Sequence, residues 1–182
     1  MLPIGPLMKE HRKIERMVAL ITQEAERLTE DESAEPDPDF IDTALTFMRE
    51  YADECHHGKE EDILFAELEE REISGEHSQI MERLRNDHHQ GRELCADLEA
   101  ATDAYVEGDE EAREVIVEAL GGLADLYPDH IATEDDRFFI PVMDYLSEQD
   151  KEAMMEDMWD FDHELLTTLY EDCITRYEEN DD

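Results

Sequence analysis

The sequence predicts an all-α fold: an antiparallel four-helix bundle with an additional helix at the C-terminal end. Three observations predict it. Apolar residues recur at spacings of three and four along most of the chain. Seven Gly and six Pro are few for 182 residues, and most fall between the periodic segments. The breaks between those segments are short, and short connections between long helices make antiparallel neighbours. Hydrophobic residues are 40% of the chain, enough to fill one core, so residues 1–182 are expected to form a single domain.

Helix 1 is predicted from Leu7 to Leu28, with Ile14, Val18 and Ile21 on its apolar stripe. The acidic stretch from Thr29 to Pro38 carries two prolines and reads as a loop. Asp37-Pro38 reads as an N-cap followed by proline in the first turn. Helix 2 then runs to Glu70, and Ser74-Gly75 breaks the chain. Helix 3 covers Glu76 to Val106. After the turn at Gly108-Asp109, helix 4 runs from Glu110 to Phe138, with Pro128 expected to kink it and Pro141 to end the segment. Ser147 and Asp150 resemble a capping box that opens helix 5, expected to reach Tyr177. The tail 178–182 is acidic and expected to fray.

Charge narrows the partners. Fifty-four acids against fifteen bases give a net charge of −39, which excludes nucleic acid and anionic membrane as partners. The acids alternate with periodic apolar residues and so read as solvated helix faces. An acid-rich, lysine-poor surface resembles that of salt-in halophile proteins, where salt screens self-repulsion. The alternative is an acidic face for a partner. No apolar run approaches the ~18–20 residues of a membrane span. The N-terminal residues carry no basic stretch followed by an apolar one, so the expected compartment is the cytoplasm. Cys55, Cys95 and Cys173 are odd in number without C-x-x-C spacing, and read as reduced thiols.

The eight histidines sort by helix face. Helix 2 offers His56 with Glu60 and His57 with Glu61, both at i,i+4, a spacing that projects from one face. Steps of 4, 7 and 11 from His57 reach Glu61, Leu64 and Leu68; from His56 they reach Glu60, Ile63 and Glu67. The first stripe is the more apolar. It predicts His57 and Glu61 inward, with His56 at the surface or behind the site. On helix 3, His88 shares a stripe with Met81, Leu84 and Leu98. His89 lies among arginines. His77 is eleven residues from His88, roughly 16 Å along the axis, too far to share its cluster. Helix 4 supplies His130 and Glu134, and helix 1 supplies His11. Glu15, four residues after His11, either binds a metal, hydrogen-bonds a water on it, or pairs with Arg12 at the surface. His163 reads as core boundary. So many inward ionisable groups would be costly unless paired or metal-bound. Imidazole with carboxylate suits iron, manganese or zinc. The number of ligands exceeds one tetrahedral zinc and fits two metals bridged by carboxylates.

The order H, H-x-x-x-E, H, H-x-x-x-E resembles the hemerythrin family in its HHE cation-binding branch. The segments that carry the resemblance are Glu10–Glu15, Cys55–Phe65, Asp87–Arg92 and His130–Asp135. It implies two iron ions bridged by an oxo or hydroxo group and by two glutamates, with histidines at the ends; manganese or zinc are the lesser alternatives. The implied metal ligands are His11, His57, Glu61, His88, His130 and Glu134. Oxygen carriers of this kind have H-x-x-x-H on the third helix, where this chain has Arg92, which cannot ligate iron. That departure weakens the carrier reading and leaves a position for water or Glu15. Binding or sensing of dioxygen or nitric oxide is the leading expectation. A redox enzyme that consumes peroxide and an iron store or donor are the alternatives, and the sequence does not choose whether the chain is an enzyme.

Overall fold

Helix α1 (Ile4–Glu30) buries Ile4, Leu7, His11, Ile14, Val18, Ile21, Ala25 and Leu28, steps of three and four without a lapse. A stripe of that period follows one side of an α-helix, so α1 turns one continuous face to its neighbours. It begins one turn before the expected Leu7. The computed structural model describes residues 2–162. The expected stretch of helix 5 beyond residue 162, with His163, Cys173 and the tail 178–182, lies outside the described residues.

Helix α2 runs over 38–69 without interruption. Its start is as expected: the Asp37 side chain accepts from Phe40 N–H, with proline at the first helical position. Two stretches of α2, Phe47–His57 and Glu60–Phe65, are π-wound. Helix α3 (Gly75–Val106) is capped by Ser74, whose hydroxyl accepts from His77 N–H. Gly108 has φ 104°, a conformation that glycine adopts at little cost, and it closes the turn into α4. Helix α4 begins as Ala112–Thr133, passes through Pro128, turns π over Glu134–Phe138 and finishes as Phe139–Val142. It therefore continues past Phe138 and includes Pro141. A 3-10 turn at Met143–Tyr145 follows, then helix α5 over 148–162. Arg113 of α4 donates to the carbonyls of Leu28, Asp31 and Ala34, satisfying acceptors that the end of α1 and its loop leave open.

The core is two apolar clusters rather than one. The first contains Ile4, Leu7, Leu64, Leu68, Ile80, Leu84, Phe138 and Val142. The second contains Ile14, Ile21, Ile41, Ala52, Leu98, Ile116, Leu123 and Ile131. Helices α1 and α3 pass from the first to the second, and α2 and α4 pass back. The topology is up-down-up-down, with α1 against α2 and α4, and α3 against α2 and α4. Met154 and Met158 of α5 close the end of the first cluster. No helix among the described residues is long and apolar enough to cross a membrane.

A net charge of −39 on 182 residues predicts salt-dependent stability. The Debye length falls from ~30 Å at 0.01 M to ~3 Å at 1 M, so repulsion between helix faces should fade across that range. The thermal midpoint should rise steeply with NaCl. A flat response would reject the halophile reading and leave the acidic faces to be explained as a partner surface.

Candidate metal centre

Between the two apolar clusters every helix of the bundle changes chemistry at the same level. Helix α1 places His11 between Leu7 and Ile14, and α3 places His88 between Leu84 and Cys95. Helix α2 places His56, His57 and Glu60 between Ala52 and Leu64. Helix α4 places His130 and Glu134 between Tyr127 and Phe138. All seven residues are buried, none more than 3% exposed.

Their inner atoms have no protein partner. Among the described residues nine buried side-chain nitrogen and oxygen atoms lack a hydrogen bond: the Nε2 of the five imidazoles and both oxygens of Glu60 and Glu134. A buried polar atom without a partner costs about 1–3 kcal/mol. Nine in one chamber require an occupant.

The glutamates straddle the chamber. One oxygen of Glu60 lies 3.3 Å from His56 Nε2 and the other 3.3 Å from His88 Nε2. One oxygen of Glu134 lies 3.1 Å from His11 Nε2 and the other 3.2 Å from His130 Nε2. The donors divide accordingly. His11, His56, Glu60 and Glu134 bring ligand atoms within 4.8 Å of one another, and so do His57, Glu60, His88 and His130. His57 stacks on His88 with ring centroids 3.9 Å apart.

The outer nitrogen of each imidazole is held. Nδ1 of His11 donates to Asp135 at 2.8 Å, that of His56 to Glu10 at 2.9 Å, and that of His57 to Asp53 at 3.2 Å. Nδ1 of His88 donates to Glu61 at 2.7 Å and that of His130 to Asp87 at 3.4 Å. A carboxylate only accepts, so each ring carries a proton on Nδ1 and turns its Nε2 inward.

Four of these carboxylates form a ring around the bundle. Glu10 of α1 serves α2, Glu61 of α2 serves α3, Asp87 of α3 serves α4, and Asp135 of α4 serves α1. Each stands one residue from an inward group of its own helix: before it on α1 and α3, after it on α2 and α4. One residue turns a helix by about 100°. Reversing both the helix direction and the step leaves the sense of rotation unchanged, so all four reach the same way round. Cations back them: Arg12 at Asp135, Lys59 at Glu10, Arg83 at Asp87, and Arg92 at both Asp53 and Glu61.

Burial opposes ionisation of Glu60, but the imidazoles of His56, His88 and His11 override it and hold the carboxyl at about 2. Burial likewise pushes the His88 pKa down, yet Glu134, Glu60 and Glu61 raise it to about 11. His57, stacked on His88, is driven well below its ordinary value by burial and by that neighbour. Among the described residues, the positive charge that faces the two carboxylates comes from imidazoles. A metal cation supplies it directly, and imidazole with carboxylate is a fitting donor set for iron, manganese or zinc.

Of the residues read from the sequence, the structure brings together His11, His57, His88, His130 and Glu134. It corrects the other expectations. Glu61 lies outside the chamber on His88 Nδ1 and Arg92, its side chain 28% exposed. Glu60 is in its place, and His56 is inward beside His57. Glu60 is four residues from His56 and three from His57, so it lies between them around the helix. A single apolar stripe is too narrow a test for three donors spread over about 100° of arc. The π-wound turns at Glu60 and Glu134 add to the mismatch with a 3.6-residue period. Glu15 is at the surface, bonded to Arg12 at 2.8 Å. Arg92 leaves no vacancy for it; Arg92 clamps the carboxylates that hold His57 and His88. His77 donates to or accepts from Tyr145 at 2.8 Å, away from the chamber.

A cleft of about 220 Å³ bounded by Asp53, Arg92, Cys95 and Tyr127 reaches His57 and His88 from outside. A larger groove of about 650 Å³ between α1 and α4 reaches Asp135 but none of the seven inward groups.

A four-helix bundle whose core is interrupted by one layer of imidazoles and carboxylates is a metal-binding bundle. Residues 2–140 match the Hemerythrin HHE cation binding domain, and the chain belongs to that family. It is similar to the uncharacterized protein Mb2018 of Mycobacterium bovis and the uncharacterized protein Rv1995 of Mycobacterium tuberculosis. Each is 28% identical over 157 residues, a stretch covering 86% of this chain and 60% of the relative. The chain thus spans less than two thirds of the length of these curated relatives. No solved structure matches it.

Proposed function

We propose that the chain holds two iron ions between its helices and binds dioxygen or nitric oxide there. The observation that carries the reading is the set of nine unpartnered donor atoms, five imidazole nitrogens and four carboxylate oxygens, in one closed layer. His11 and His56 would hold one metal; His57, His88 and His130 would hold the other. Glu60 and Glu134 would each give an oxygen to both. Nine donors exceed one tetrahedral ion and suit a pair about 3.5–4 Å apart.

When bound, such a pair supplies reversible electron exchange with a small ligand. The chain supplies the rest. The ring of carboxylates, with Asp53 at His57, fixes each imidazole before metal arrives, so little ordering remains to be done on binding. The apolar clusters on both sides keep bulk water from the layer. The half with two histidines has one protein donor fewer, which leaves a position for a ligand. The cleft beside Tyr127 gives small molecules a route to the chamber.

Protein expressed with iron should contain about two irons per chain, the number that the donor count supports. One tightly held zinc and no iron would overturn the di-iron reading. Anaerobic reduction followed by air, with the optical spectrum recorded, tests the ligand. A reversible adduct supports binding or sensing. Irreversible oxidation with consumption of peroxide would replace that reading with a redox enzyme.

A further inference from the structure

Lys59 is a lysine with no exposed surface. Arg12, Arg83 and Arg92, which back the other carboxylates, are between 42% and 59% exposed. An ammonium this deep is costly unless carboxylates surround it. Two do. Lys59 donates to Glu10 at 2.5 Å and to Asp162 at 2.7 Å. Glu10 accepts from His56 Nδ1 with its other oxygen. Asp162 belongs to α5, which lies beyond the segment that matches the family. The Cys55 thiol also donates to Asp162, at 3.5 Å.

A second observation places α5 at the same spot. A Cβ on Gly58 would sit 2.7 Å from the ring of Phe161, closer than real Cβ atoms come. Gly58 therefore admits α5 onto α2 directly behind His56 and His57. The contacts form one chain: Asp162, Lys59, Glu10, His56, and the inward Nε2.

We propose that Lys59 and Asp162 are a positioning pair, through which docking of α5 and metal binding become one linked equilibrium. Without Asp162, Lys59 has half its counter-charge and pulls on Glu10 alone. Glu10 then holds His56 less well, and metal affinity falls. Linkage is reciprocal, so metal held by a well-placed His56 in turn tightens α5. This inference rests on the metal-binding reading above.

The test uses the full chain loaded with Fe(II) under anaerobic conditions. Asp162→Asn removes the counter-charge from a side chain 37% exposed, so folding should survive. The exposed Asp160→Asn makes the same charge change on the same helix. Iron release into excess chelator should be about tenfold faster in Asp162→Asn, the lower end for residues that hold a ligand, and parental in Asp160→Asn. Backbone hydrogen exchange over 151–162 should be slower in the iron-loaded parent than after chelation, and this difference should vanish in Asp162→Asn. Parental iron release from Asp162→Asn, or α5 exchange indifferent to iron in the parent, would overturn the coupling alone. A parent that takes up no iron overturns the di-iron reading and the coupling with it.

Discussion

Glu60→Ala is expected to end binuclear loading, while Glu61→Ala keeps it. Glu60 is the residue common to both groups of converging donors, so its loss removes an oxygen from each. The half that keeps His57, His88, His130 and Glu134 retains four donors. The half with His11 and His56 retains three. Iron content after passage over a weak chelator should fall from about two per chain to one or fewer, because a pair needs its bridge on both sides. Glu61 touches only the outer nitrogen of His88 and Arg92. Its removal frees one ring to rotate, which costs about 10–100-fold in affinity and leaves stoichiometry intact when iron is in excess. Two irons retained by Glu60→Ala, or equal depletion in both variants, would reject the placement of Glu60 in the chamber.

The contrast between these neighbours marks where sequence reasoning reached its limit. Helices on all four sides of the chamber are legible because a heptad-like stripe must bury something, and His11 interrupts the stripe of α1 in a position that Leu or Ile would otherwise fill. His88, His130 and Glu134 are legible in the same way. Helix α2 is not, because it gives three donors instead of one or two. A stripe test asks which residue is most central, whereas an inward Glu with a histidine on either side needs a broad arc. The supporting carboxylates left a trace that periodicity does not weigh. Glu10-His11, Glu60-Glu61, Asp87-His88 and Glu134-Asp135 each pair an inward residue with an acid beside it. Which helix that acid serves depends on the handedness of packing, and this only the assembled bundle supplies. Lys59 is harder still. Nothing in its neighbourhood in the sequence distinguishes it from a surface lysine, since its second carboxylate is 103 residues away on α5.

Removing metal is expected to lower the thermal midpoint sharply, and Glu134→Leu is expected to abolish that response to metal. A ligand that binds only the folded chain stabilises it by about 4.1 kcal/mol at a thousand times its Kd. For a chain of this size each kcal/mol shifts the midpoint by about 2–4 °C, so chelation should cost about 8–16 °C. The stripped protein keeps two buried carboxylates facing each other. Burial and the charge of Glu60 both oppose ionisation of Glu134, while His130, His11 and His88 favour it and hold its pKa at about 2. The carboxylate therefore stays charged in the stripped protein, where His11 and His130 lie 3.1 and 3.2 Å from its oxygens. Glu134→Leu fills the same space without the charge. It removes the partner of buried imidazoles, and losing one side of a buried charge pair costs about 3–5 kcal/mol. Without iron, Glu134→Leu should melt below the stripped parent; with iron, it should melt below the loaded parent and respond little to added metal. Differential scanning calorimetry of the four samples checks the order. A stripped parent as stable as the loaded one, or a Glu134→Leu variant that gains as much from iron as the parent does, would show that Glu134 is held for the packing of the bundle and not for a cation.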